Sequence, residues 1–363
     1  MTIMKDLLRV RQKAGEVGIE IELEGDNLPT EAFGSWRAER DGSLRGHSVE
    51  LVLQSPCARK DVGVRLKEVT SALKYAEVLD TGRAGVHVHI NIQKLSEVQL
   101  VNFITLYLIY ENLLVAWCGE KRVGNLFCLR TEDASGYLEL LRHAISEREW
   151  RSLDTDDVRY ASMNLKALCT YGSLEFRAMR STVDMRLLEQ WVSLLLALKD
   201  SAHRYDDPIQ IIEEFSVLGA EEAFKKVFGK HHLLLDFDPI ALMSGVRTAQ
   251  HIAYCRVDWE ERQPEAVVRQ PIIEANEEPL DEVMDAEAAK GNVYFEREGK
   301  HYYRVVKEGD QRRWIEANDI LEVFMNPEVD QRDREYLRGH YLDHVCRMVG
   351  VDYDVFVDDW GVE

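Results

Sequence analysis

The chain has 363 residues, 45% of them hydrophobic and 30% charged, with 45 basic against 65 acidic side chains and a formal charge of −20. That length holds one large domain with appendages or two domains, and the composition is that of a soluble globular protein. So acidic a surface repels a polyphosphate backbone, which argues against general nucleic-acid binding.

Met1 to Lys13 hold no apolar run of signal-peptide type. Residues 15–60 read as strand, loop and strand, with turn signals at Asn27-Leu28-Pro29-Thr30 and Asp41-Gly42-Ser43. An amphipathic helix is expected over 61–79, with Val64, Leu66, Val69, Leu73 and Ala76 on its inner stripe. A strand over 85–92 follows, and Ser96 then caps a long helix over 97–118. Asn102, Glu111 and Asn112 interrupt that apolar run, which fits a buried core helix better than a membrane span. Residues 119–130 form a loop, 134–147 a helix, and 152–159 a polar, acidic loop. Two strands are expected at 160–168 and 173–180, joined by Thr170-Tyr171-Gly172. The helix at 185–204 turns Leu187, Leu188, Trp191, Leu194, Leu195 and Leu198 inward. Three short helices are expected within 208–257, with His231-His232 at a turn between two of them. Residues 258–290 are rich in Glu, Pro and Asp and read as a linker or arm. The tail, 291–363, reads as a small α+β appendage: a hairpin over 293–306 turning at Glu298-Gly299-Lys300, then helices near 316–324 and 330–348.

Four of the strands alternate apolar and reactive residues. They are Val17-Gly18-Ile19-Glu20-Ile21-Glu22-Leu23-Glu24, Val49-Glu50-Leu51-Val52-Leu53, Val86-His87-Val88-His89-Ile90-Asn91-Ile92 and Leu174-Glu175-Phe176-Arg177-Ala178. Period-two alternation marks half-buried strands. If the four share a sheet, one face packs a core and the other carries Glu20, Glu22, Glu50, His87, His89, Glu175 and Arg177. Residues i and i+2 of a strand lie roughly 6.5–7 Å apart on one side, so Glu20 and Glu22 repel unless a cation sits beside them. A mixed Glu/His set suits Mg²⁺ or Mn²⁺ better than structural Zn²⁺. Taken singly, each strand also fits an ordinary solvated face or salt bridge; the common parity across four strands is what points to a site.

Gly18-Ile19-Glu20-Ile21-Glu22, Asp41-Gly42-Ser43-Leu44 running on to Val49-Glu50-Leu51-Val52, Gly85-Val86-His87-Val88-His89-Ile90-Asn91, Arg159-Tyr160 with Asn164-Leu165, and Leu174-Glu175-Phe176-Arg177 occur in that order. This series resembles the amidoligase branch of the glutamine synthetase/glutamate–cysteine ligase superfamily over about residues 15 to 200. The resemblance implies an α+β fold in which an antiparallel sheet of glutamine synthetase-like type presents a concave metal and ATP face, with helices on the other. It implies a catalytic domain over 1–205, followed by the helical extension at 206–257. Glu20 and Glu22 would ligate different metals, Glu50 joining Glu22, and His87 and Glu175 joining Glu20. His89 would sit near the nucleotide phosphates and Arg177 would stabilise the phosphate in transfer. Asn164, Arg159, Lys121 and Arg122 would contact substrate or phosphate. Gln54-Ser55-Pro56-Cys57 keeps the family's Ser-Pro but supplies no second acid, which puts a third metal in doubt.

The implied reaction is ATP-dependent joining of a small-molecule or peptide carboxylate to an amine through an acyl phosphate, with Mg²⁺ or Mn²⁺. The residues suit it, because phosphoryl transfer asks a protein mainly for positioning and charge neutralisation. Arg37, Arg40, Lys121, Arg122, Arg130, Arg159, Lys166, Arg177 and Arg180 gather near the motifs as a local basic setting for ATP. No GxxxxGK[ST] loop occurs and no GxGxxG follows a strand, which argues against a P-loop nucleotide site and a dinucleotide fold. Six cysteines at 57, 118, 128, 169, 255 and 346 form no CxxC and suggest neither zinc nor disulfides, consistent with a reducing cytoplasm. The rival readings are a guanidino or carboxylate kinase of the same fold, a non-catalytic metal- or nucleotide-binding assembly protein, and a metal-dependent hydrolase. Whether the chain forms a homo-oligomer is open.

Overall fold

The computed structural model describes residues 2–156 and 159–260, together with the backbone of three strands between 294 and 316. The chain forms two compact units, Met1–Pro264 and Glu265–Glu363.

The first unit opens with a short helix, α1 (Met4–Leu8), and then lays down β1 (Val17–Asp26), β2 (Trp36–Glu39) and β3 (Ser48–Leu53). Helix α2 (Val62–Ala72) leads to β4 (Glu77–Val78), β5 (Gly85–Asn91), α3 (Glu97–Cys118) and α4 (Tyr137–Ser146). The chain returns through β6 (Met163–Asn164), α5 (Lys166–Tyr171) and β7 (Ser173–Arg180) before α6 (Met185–Ala202). The strands make a seven-stranded sheet in the order β2-β3-β1-β5-β7-β6, with β4 paired to the end of β1, and each named pair is antiparallel. The fold is therefore α+β, as expected.

The alternation decides which face is buried. Ile19, Ile21 and Leu23 of β1, Val86, Val88 and Ile90 of β5, and Leu174 and Phe176 of β7 all join the hydrophobic core. Helix α3 packs there, its Phe103 and Tyr107 rings 5.7 and 4.9 Å from Phe176. Ser96 begins it with a full capping box: its hydroxyl accepts from the Gln99 N–H while the Gln99 side chain accepts from the Ser96 N–H. Helices α7 (Pro208–Leu218), α8 (Ala220–Phe228) and α9 (Pro239–Ala253) cover the far side of α3 and α6, so α3 is apolar all round. Among the described residues it is the one helix long and apolar enough to cross a membrane, and 83% of that stretch is buried in the core.

Three expectations are corrected. The helix expected at 61–79 stops at Ala72, because Glu77 and Val78 pair with Asp26 and Gly25. Its inner stripe is Val62, Leu66, Val69 and Leu73, while Val64, two residues off that stripe, is exposed. The strand expected at 160–168 is two residues long and then becomes α5. The Asn164 side chain accepts from the Lys166 N–H to start that helix, and Gly172, at φ 69°, ends it in the left-handed conformation. The three helices expected in 208–257 form, with His231 and His232 in a 3₁₀ turn over Gly229–Leu234. The expected acidic arm opens instead on α10 (Val257–Glu260), and 261–290 lies outside the described residues.

In the second unit, β8 (Tyr294–Arg297) and β9 (Lys300–Val306) pair antiparallel as the expected hairpin, and β10 (Arg312–Glu316) adds a third strand to β9. The expected helix at 316–324 begins on the last residue of β10. The rest of it, and the helix at 330–348, lie outside the described residues.

Candidate metal and phosphate site

Strand pairing brings the reactive residues into one row. Glu50 of β3 stands directly opposite Glu22 of β1, and Glu20 opposite His87 of β5. His89 stands opposite Glu175 of β7, which in turn faces Asn164 of β6. These seven residues and Arg177 rise from the face that the core does not use, and side chains from five strands meet on it.

His87 is the hub. Its Nδ1 lies 3.2 Å from Glu20 Oε2 and 3.7 Å from Glu175 Oε1, and its Nε2 lies 3.6 Å from Glu22 Oε1. Two triads result, Glu20–His87–Glu175 and Glu22–His87–Glu50, each with ligand atoms within 4.8 Å of one another. His89 Nε2 is 3.4 Å from Glu20 Oε1, an ion-pair contact too misaligned to be a hydrogen bond, and its Nδ1 meets Ser173 Oγ at 3.1 Å. Asn164 donates to Glu175 Oε2 at 2.7 Å and Arg177 Nη1 to Glu175 Oε1 at 2.6 Å, which fixes that carboxylate from both sides. The Gly85 N–H holds Glu22 Oε2 at 2.9 Å. Glu24, next along β1, turns to the Arg45 N–H instead and leaves the row.

The electrostatics ask for cations. Burial, with Glu20 and Glu22 alongside, pushes the Glu50 carboxyl up to about 8. Burial also raises Glu22, against the pull of His87 and Arg177. For Glu20 burial opposes charge, but its contacts with His87 and His89 prevail and hold the carboxyl well below the usual range. For Glu175 burial likewise opposes charge, and His89, His87 and Arg177 prevail. Two acids directly opposite each other on a sheet are destabilising as they stand. Four carboxylates and an imidazole fit hard divalent ions such as Mg²⁺ or Mn²⁺.

A polar cleft runs from this row to a wall of cations. Arg83 stacks on Phe127 at 4.9 Å, Arg159 on Tyr160 at 4.6 Å, and Arg177 lies 6.0 Å from the same tyrosine. Phe127 and Tyr160 meet edge to face at 5.9 Å, so the two aromatic rings join the three guanidinium groups. Lys166 also lines the cleft, paired with Asp156 at 2.7 Å. On the other side of Glu20 a second cleft is lined by His89, Tyr171, Ser173, Arg37 and Asn91.

Of the residues singled out from the sequence, Glu20, Glu22, Glu50, His87, Arg159, Asn164, Arg122 and Arg177 line the polar cleft, and His89 the second one. Lys121 lines neither: its ammonium binds the Asp80 carboxylate and carbonyl at 2.8 Å, and it is exposed. Arg122 is 1% exposed and gives its fork to three backbone carbonyls. Sequence reasoning missed Arg83. The available signal was Arg83-Ala84 set between Gly82 and Gly85 at the entrance to the histidine strand.

The fold and the site define an α+β protein with a carboxylate–histidine surface facing a cation-walled cleft. Residues 27–199 match the family model described as "Putative amidoligase enzyme", in agreement with the resemblance carried by the motifs. That span includes Glu50, His87, His89, Asn164, Glu175 and Arg177, while Glu20 and Glu22 stand just before it and enter the site through the register of β1. No curated protein and no solved structure matches the chain.

Proposed function

We propose that the chain is an ATP-dependent carboxylate–amine ligase on a glutamine synthetase-like sheet, acting through an acyl phosphate in a cytoplasmic setting. The observation that carries the reading is the pair of triads sharing His87 on one sheet face, and the family match supports amide-bond formation. Joining a carboxylate to an amine in water is uphill, so the carboxylate must first become a better electrophile. One of its oxygens takes the γ-phosphoryl group and ADP leaves; the amine nitrogen then attacks the carbonyl carbon, loses a proton, and phosphate leaves.

Glu20, His87 and Glu175 would hold one divalent ion and Glu22 and Glu50 another, and bound ions would neutralise phosphate charge. The chain's own groups do the rest. Arg177 presents a planar fork beside Glu175, and its buried Nε has no acceptor among the described residues. Asn164 keeps Glu175 from rotating. Arg83 and Arg159 stack on aromatic rings and, among the described residues, make no salt bridge to an acid. One nitrogen of each donates, to the Ser43 carbonyl and to Tyr160 Oη respectively, and their other donors suit an oxyanion of ATP or of the acid substrate.

The test is release of ADP and phosphate with Mg²⁺ or Mn²⁺ across a panel of amino acids, polyamines and peptides. Release that needs both an acid and an amine, and disappears in a folded Glu20→Gln variant, is the expected result. A phosphorylated acid that accumulates without any amine would mark a kinase. Turnover without ATP would mark a hydrolase, and no turnover an assembly protein.

A further inference from the structure

Strand β7 carries one residue too many at the centre of the site. Val88 pairs with Phe176 and Val86 with Met179, so Arg177 and Ala178 together oppose the single His87. A bulge of this kind re-aims a side chain and leaves ladder groups without strand partners. Here those groups are taken up from two sides. The Arg177 N–H donates to the Ser162 carbonyl at 2.7 Å. The carbonyls of Arg177 and Ala178 accept from Arg122 Nη2 at 2.7 Å and Nε at 3.0 Å, while its Nη1 reaches the Gly82 carbonyl at 3.3 Å.

The Ser162 side is itself anchored. Its hydroxyl hydrogen-bonds the Glu111 carboxylate, meets Tyr107 Oη at 2.9 Å, and its N–H donates to the Leu129 carbonyl at 2.6 Å. Glu111, buried in α3, also accepts from the Thr131 N–H at 2.9 Å and its hydroxyl at 3.2 Å. Burying a guanidinium and a carboxylate is unfavourable unless their hydrogen bonds are filled. Arg122 fills its own on the bulge carbonyls and Gly82. Glu111 fills its own on Thr131 and on Ser162, the residue whose carbonyl holds the Arg177 N–H.

We propose that Arg122 and the Glu111–Ser162 pair are positioning residues that hold the β7 bulge so that the Arg177 guanidinium is fixed beside Glu175. The inference rests on the ligase reading, in which Arg177 acts on the phosphoryl group. It differs from a phosphate contact by Arg122, because the Arg122 fork is already filled by carbonyls.

Arg122→Lys keeps the charge but replaces the planar fork, whose three nitrogens reach the Arg177, Ala178 and Gly82 carbonyls, with a single point donor that cannot span them in the same geometry. The expected result is kcat for ATP consumption lower by ~10-fold or more, with KM for ATP within ~3-fold, the pattern of lost transition-state contact. Mn²⁺ affinity should stay unchanged. Glu111→Gln approaches the bulge from the other side. It should lower kcat in the same way and less than additively with Arg122→Lys, and it carries the test alone if the lysine variant does not fold. A raised KM with kcat intact would make Arg122 a phosphate ligand and overturn the proposal, as would unchanged kcat in both variants. Hydrogen exchange separates this from failure of the ligase reading. The Arg177 amide should exchange faster in either variant even if the wild type consumes no ATP, and unchanged protection there would remove the clamp.

Discussion

His87 faces carboxylates on both ring nitrogens, yet a neutral imidazole has one lone pair and can ligate in one triad only. Its other nitrogen would then donate to a carboxylate of the second triad, and an ion bound there would be held by oxygen alone. Glu50 shows why single residues were hard to weigh: from sequence it is one acid on a short strand, and only the register sets it opposite Glu22. Glu111 was legible merely as an interruption of an apolar run, because its partners Thr131 and Ser162 lie 20 and 51 residues away. Burial lifts its carboxyl from 4.5 to about 7, against the hydrogen bonds from Ser162 and Thr131. Between those values the folded chain keeps a proton that the unfolded chain has lost, so stability falls as pH rises. The contribution is fully present below 4.5 and gone above about 7, a loss of about 3 kcal/mol. Urea unfolding from pH 5 to pH 8 should therefore show a shallower decline for Glu111→Gln than for the wild type. Parallel declines would mean that the carboxylate is ionised throughout.

At the scale of elements, strand parity was readable because alternation is a local property, whereas pairing is not. The bulge left a trace in sequence: alternation breaks at Ala178-Met179, where two consecutive apolar residues are both buried. Its meaning needed β5 opposite. Helix α5 is not legible as a helix in the sequence, because Lys166-Ala167-Leu168-Cys169-Thr170-Tyr171 is too short for its period to show. Helix α3, long and capped, was legible to the residue, but the closeness of its neighbour was not. A Cβ on Gly245 of α9 would stand 2.1 Å from the Ile109 carbonyl oxygen of α3, so the two backbones approach as only glycine allows. Gly245 has no left-handed conformation to lose, and the effect of an added methyl is therefore one of packing. Gly245→Ala should destabilise the first unit by about 1–3 kcal/mol, as overpacked cores do. An unchanged urea midpoint would mean that α9 shifts away from α3 freely.

For the whole molecule, a formal charge of −20 coexists with a cleft walled by Arg83, Arg159, Lys166 and Arg177, so net charge described the surface and said nothing of the site. The division of the chain was legible as a change of composition near 258, but the chain of the first unit stays tied down past that point. Trp259 is fully buried under Arg256, whose guanidinium lies 4.6 Å over its ring and also reaches Glu97 of α3 at 3.2 Å and Asp258 at 2.6 Å. Where a truncation falls should therefore matter more than its length. All five proposed metal ligands belong to Met1–Pro264. A fragment ending at Pro264 should unfold in one transition and bind Mn²⁺ with the affinity of the full chain. A fragment ending at Tyr254 gives up the Trp259 anchor, at a loss of roughly 3–5 kcal/mol by analogy with emptying a buried aromatic site, and should melt well below the longer one. Weaker Mn²⁺ binding by the 1–264 fragment would show that the second unit contributes to the site. Equal stability of the two fragments would show that the Arg256–Trp259 anchor is not what closes the first unit.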